Sequence, residues 1–121
     1  MAAQTDFWGD IAPAQVRTPV AIMKEQAALL GKKTQNVVEG RVASAVHAQQ
    51  FVHRFHLVVP ALDGYTYELF RVAQEIDIYP LITDEGTRLE NEEAFTNWLR
   101  AKLSSDKTKK ILGNLLAQAN S

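Results

Sequence analysis

An α+β fold with an antiparallel sheet is what this sequence predicts, and three observations carry the prediction. One helical pattern precedes the strands and two follow them. The strand-like runs between them are consecutive, joined by connections too short for the helical crossover that a parallel pair requires. At 121 residues, 46% hydrophobic and 22% charged, the chain has material for one core. The reading is an irregular N-terminal arm over residues 1–17 and a single α+β domain over 18–121. That domain comprises a helix, an antiparallel meander of about four strands, and two C-terminal helices packed on the sheet.

The arm mixes small and polar residues around Phe7 and Trp8, with Pro13 interrupting. Two adjacent aromatics are costly to leave in water, so they are expected to dock, on their own sheet or on a partner. Over Thr18–Lys33 the boundary devices are those of a helix. Thr18 suits the N-cap and Pro19 the first helical position, where its missing N–H costs nothing. Val20, Met23, Ala27 and Leu30 recur at helical spacing, and Gly31 is the expected left-handed stop. Lys32 and Lys33 follow at the negative end of the helix dipole.

Residues 35–50 satisfy two periods. Val38, Val42 and Val46 fit a helical four-residue step, while Val38, Gly40, Val42, Ser44 and Val46 alternate with Glu39, Arg41, Ala43 and Ala45 as a half-buried strand does. Gly40 and the valines favour the strand. Phe51–Pro60 and Tyr65–Ala73 are β-branched and aromatic runs joined by a turn containing Asp63 and Gly64, and they predict an antiparallel hairpin. Pairing odd with odd places Phe55, Leu57 and Val59 on one face with Tyr65, Tyr67 and Leu69. Arg54 and His56 then share the other face with Thr66 and Glu68. Ile76–Thr83 reads as a further strand, pushed to the sheet edge by Pro80. Asn91 is a cap for a helix over Glu92–Leu103, with Phe95, Trp98, Leu99 and Leu103 as its apolar stripe. Ser104 and Ser105 break that helix and cap a last one, in which Ile111, Leu112, Leu115 and Leu116 lie opposite Lys107, Lys109 and Lys110.

Thirteen basic and fourteen acidic side chains give a net charge of −1, so no global field recruits nucleic acid or anionic lipid. The charge is unevenly spread: residues 63–93 hold nine acidic and two basic side chains, and residues 100–121 one acidic and five basic. Zero cysteines exclude disulfides, thiol nucleophiles and thiolate-bound metals. The N-terminus lacks a basic region followed by an apolar run, and no later segment approaches the roughly 20 apolar residues of a membrane helix. A cytoplasmic protein with no membrane partner is expected.

No catalytic motif stands out. His47, His53 and His56 fall within ten residues, but in one strand His53 and His56 point to opposite faces and cannot share an ion without a bulge, so neither a metal nor a cofactor is expected. Arg54, His56 and Glu68, with Arg71, form the alternative catalytic reading: a histidine base beside an anion-binding arginine, hydrolase-like, on the wet face of the hairpin. Ser44, Ser104 and Ser105 sit in no nucleophile motif, and Leu29–Thr34 lacks the first glycine and spacer of a phosphate loop. The lysines of the last helix, with Arg100 and Lys102, make a small basic patch, and weak nucleic-acid binding through it, with Tyr65, Tyr67 and Tyr79 as stacking faces, is a further alternative that the near-neutral total disfavours. What accumulates instead are surfaces suited to another chain: the Phe7–Trp8 arm, a sheet carrying Tyr65, Tyr67 and Tyr79, and an amphipathic last helix. The expectation is a non-enzymatic protein-binding or small adaptor module, with a protein partner or a second copy of itself in a homodimer.

Overall fold

The computed structural model describes residues 5–121; the first four residues of the arm lie outside it. The element order is α1 (Pro19–Lys33), β1 (Glu39–His47), β2 (Gln50–Val59), a 3-10 turn (Pro60–Leu62), β3 (Tyr65–Gln74), β4 (Leu81–Thr83), β5 (Arg88–Leu89), α2 (Glu92–Leu103) and α3 (Asp106–Ala119). The strands form one antiparallel meander in sequence order, with β1 and β5 at the edges. The α+β architecture is therefore as the sequence indicates, with five strands in place of four. Among the described residues no helix is long and apolar enough to cross a membrane.

All three helices start where their caps predict. Thr18 Oγ1 accepts from the Ala21 amide at 3.3 Å, Asn91 Oδ1 from Ala94 at 2.8 Å and Ser105 Oγ from Thr108 at 3.2 Å, each satisfying an amide the helix leaves free. The end of α1 differs from expectation. Gly31 is helical and buried, and the chain leaves the helix at Thr34, with Gln35 and Asn36 taking the left-handed conformation at φ 50° and 64°. Thr34 organises this exit: its hydroxyl lies 2.8 Å from the Val38 carbonyl and accepts from the Val38 amide at 3.2 Å. Gly31 is needed for space rather than for φ, since a Cβ there would stand 3.0 Å from Asn36 Oδ1.

Residues 39–47 are strand, and the tight turn to β2 is made by Ala48 and Gln49, both at positive φ (50° and 67°), as a two-residue hairpin turn demands. Between β2 and β3 the register runs as predicted through His56↔Glu68, Leu57↔Tyr67 and Val59↔Tyr65, and then shifts. A bulge at Leu69 brings Phe70, not Leu69, opposite Phe55, so even-numbered residues face the helices from there on. One extra residue in a period-two strand flips every side chain beyond it.

The Ile76–Thr83 strand is shorter than expected. Glu75–Pro80 is a turn containing left-handed Ile78 (φ 75°) and a cis Tyr79–Pro80 bond, and only Leu81–Thr83 pairs. Pro80 thus precedes β4 instead of marking an edge, because the outer position is taken by β5, a two-residue strand in the acidic loop.

The core lies between the sheet and the helices. Phe55 stacks on Phe70 with ring centres 5.4 Å apart and planes 16° apart, and Trp98 of α2 meets Phe70 edge-on at 5.2 Å. Phe95 lies beside Trp98 at 6.3 Å. Such pairs add about 0.5–1.5 kcal/mol each beyond area burial, and they bolt α2 to β2 and β3. On the other side α1 seats against β1, where Ala27 approaches Gly40. A Cβ at Gly40 would stand 2.7 Å from Ala27 Cα and 3.1 Å from the Phe55 ring. Since a backbone atom blocks it, Gly40→Ala is expected to destabilise the protein by about 1–3 kcal/mol, read as a lower urea midpoint with an unchanged slope.

Candidate functional site

The sheet has two unlike faces. Helices cover one; the other, built from Arg41, Ala43, Arg54, His56, Glu68 and Arg71 among others, is uncovered. On it the residues of the catalytic reading do meet. Glu68 binds Arg71 Nη2 at 2.9 Å through one carboxylate oxygen, while the other lies 3.2 Å from Arg54 Nε and 3.9 Å from His56 Nε2. The arrangement has a structural reason. Arg54 and Arg71 are cross-strand partners, a like-charge juxtaposition that is destabilising, and Glu68 lies between them as the shared counterion. A hollow of about 410 Å³ adjoins this group, lined by Ala45, Val52, Arg54, Arg71, Ala73 and Ile82 among others, but neither His56 nor Glu68 lines it. His56 is packed among its strand neighbours at 22% side-chain exposure and lines neither cavity, so the cluster lacks the pocket that acid–base work needs.

The three histidines separate. His47 ends β1 at the hairpin turn, exposed; His56 is on the open face; His53 points to the helix side and is buried. Among the described residues no group of three or more metal-ligating side chains converges. His53 belongs instead to a polar series that sequence reading missed. Gln74 donates its amide to the Glu75 carbonyl at 3.2 Å, which turns Oε1 toward His53 Nε2 at 3.1 Å. Nε2 is therefore the protonated nitrogen, and Nδ1 accepts from Ser44 Oγ at 2.7 Å. Two features hid this. Gln74 reaches the inner face only because of the Leu69 bulge, and Ser44 meets His53 only through the β1–β2 register. Hydroxyl, imidazole and amide in series resemble an activated nucleophile, but Ser44 is exposed on an edge strand and lines neither the hollow on the open face nor the cleft between the helices. The series satisfies a buried imidazole on both nitrogens.

The expected interaction residues divide as well. Phe7 and Trp8 do not dock on their own domain: they are 92% and 81% exposed, with Ile11 at 76%. Among the described residues the arm has no regular structure, and the Trp8 amide donates to Asp6 Oδ1 at 2.8 Å. Tyr65 is exposed near the start of the β2–β3 hairpin, while Tyr67 is half-buried and packs on the core. Tyr79 is half-buried, its hydroxyl 3.5 Å from the Arg17 carbonyl at the root of the arm. Burial, then the nearby Glu92 carboxylate, push that phenol up to about 12. The tyrosines therefore do not form one surface with the arm. A second apolar patch that sequence reading did not single out is Val46 and Phe51, which face each other across the β1–β2 tip beyond the helical layer. Together these positions describe a class: a helix-backed antiparallel meander with an unattached aromatic arm and a free edge strand. No protein-family model, characterised protein or solved structure matches the chain.

Burial lowers the His53 pKa from its ordinary 6.5, with the Gln74 hydrogen bond opposing. A base with a depressed native pKa binds more protons unfolded than folded, so stability rises with pH across that window. The contribution is fully present above pH 6.5 and fades as pH falls below it. His53→Gln should thus be destabilising at pH 7.5, and the gap in urea midpoint between it and the parent protein should narrow at pH 5.

Proposed function

We propose that the protein works in the cytoplasm as a non-enzymatic adaptor or regulatory module that binds another protein chain, with a homodimer as one form of that association. The observation that carries this reading is the arm. Phe7, Trp8 and Ile11 stand in water at 92%, 81% and 76% exposure, although aromatic side chains offer about 150–250 Å² each for burial and dominate interface energies. A second observation supports it: β1 is a nine-residue edge strand whose distal half, Ala43–His47, is exposed, and such an edge is a template for main-chain pairing with another chain. The enzyme reading has less support, because His56 and Glu68 line no cavity and Glu68 is already paired with Arg54 and Arg71.

The test is a Phe7→Ala/Trp8→Ala protein compared with the parent by sedimentation over a concentration series and by affinity capture with mass spectrometry. Neither side chain touches the core, so the thermal midpoint should not move. Association with the copy or partner should weaken about 30-fold or more, the scale of losing interface anchors worth about 2 kcal/mol or more. A parent protein that is monomeric at all concentrations and captures no partner, or a variant that associates as the parent does, refutes the reading.

A further inference from the structure

The helix-covered side of the sheet is not closed. Between α1 on one flank and α2 with α3 on the other runs a cleft of about 500 Å³, within the range of small-molecule sites. Its floor is Phe55, Leu57 and Leu69, and Ile22, Leu99 and Leu112 wall it from the three helices. Protein interiors rarely leave apolar space of this size unfilled.

The charged residues lining the cleft have one sign. Lys33 at the end of α1, Arg100 on α2 and Lys109 on α3 line it, and no carboxylate does. Among the described residues none of the three is in an ion pair: Arg100 reaches only Asn97 Oδ1 at 3.4 Å, and the nearby acidic loop spends Glu85 on Lys102 at 3.8 Å. The helix dipole accounts for Lys33, at a C-terminal end, but not for Lys109, which lies in the first turn of α3, where the dipole disfavours a cation.

We propose that this cleft binds a free fatty acid, its single alkyl chain lying on Phe55, Leu57 and Leu69 and its carboxylate held by Lys33, Arg100 and Lys109. The floor is hydrocarbon, with the polar Gln26, Thr96, Ser104 and Thr108 confined to the helical walls, so the occupant is apolar where it lies on the sheet. It must end in an anion because the charged residues that line the cleft are all cations and, among the described residues, none is in an ion pair. A half-open cleft of this volume matches one chain, not the paired chains of a membrane lipid. The site is separate from the arm and from the β1 edge, and goes beyond the protein-binding reading.

The test is calorimetric titration of the delipidated full chain with octanoate, decanoate and laurate below their micelle concentrations. One molecule should bind per chain, with affinity rising about tenfold for each two methylenes, as about 0.8 kcal/mol per buried methylene implies. At ten carbons, decanol and decyltrimethylammonium should bind at least tenfold more weakly than decanoate. Arg100→Gln/Lys109→Gln, at exposed positions and checked for fold by circular dichroism, should reduce decanoate to the level of decanol. The proposal is overturned if the acids do not saturate at one per chain, if the three headgroups bind alike, or if the double variant binds decanoate as the parent does. The Phe7→Ala/Trp8→Ala protein should bind the acids normally, so this site and the arm stand or fall separately.

Discussion

The single extra residue in β3 at Leu69 sets what the two faces of the sheet contain. Before it, Tyr65 and Tyr67 point toward the helices and Thr66 and Glu68 away; after it, Phe70, Val72 and Gln74 point inward and Arg71 outward. Without the bulge, Phe70 would face solvent and the stack that joins Phe55 to Trp98 could not form. The bulge also leaves Leu69 on the inner side, where it floors the cleft. One local irregularity thus links the aromatic anchor of α2, the partner of His53 and the floor of the apolar cleft between the helices. Bulges are known to re-aim side chains in this way.

The two ends of the molecule obey different economies. Phe55, Phe70, Phe95 and Trp98 form a stacked aromatic core, and among the described residues each buried polar side chain has a partner. Beyond the helical layer, the β1–β2 tip and the arm present Val46, Phe51, Phe7 and Trp8 with no cover of their own. A small domain gains most of its stability from a compact core, so this apolar surface adds nothing to folding. In the proposed protein-binding role, it is the surface that the other chain would cover. The open sheet face differs: Glu68 is shared by Arg54 and Arg71, Arg41 pairs with Glu39, and small or β-branched residues such as Ala43, Ala73 and Val52 lie among them.

Much of the fold was legible in particular residues. Thr18, Asn91 and Ser105 announce helix starts because capping is local and uses the side chain's own oxygen. The β2–β3 hairpin was legible through the alternation of Phe55, Leu57 and Val59. The errors share a cause. Gly31 looks like a stop but is buried in a helix, and β5 is two residues long. Each is imposed by what lies opposite in space: Asn36 and β4 respectively. The candidate sites divide in the same way. Arg54, His56 and Glu68 could be placed together by strand parity, whereas the Ser44–His53–Gln74 series could not.

The sequence by itself determined the α+β class, the caps, the one-sided character of the β2 strand and the absence of thiol chemistry, because these follow from local periodicity and composition. Only the tertiary structure decided the bulge at Leu69, the exposure of the arm and the meeting of Lys33, Arg100 and Lys109 around one cleft. The physical reason is range. Hydrogen-bond register and helix seating join residues far apart in the chain, and whether an apolar side chain ends in the core or in water depends on which surfaces those distant contacts have already used.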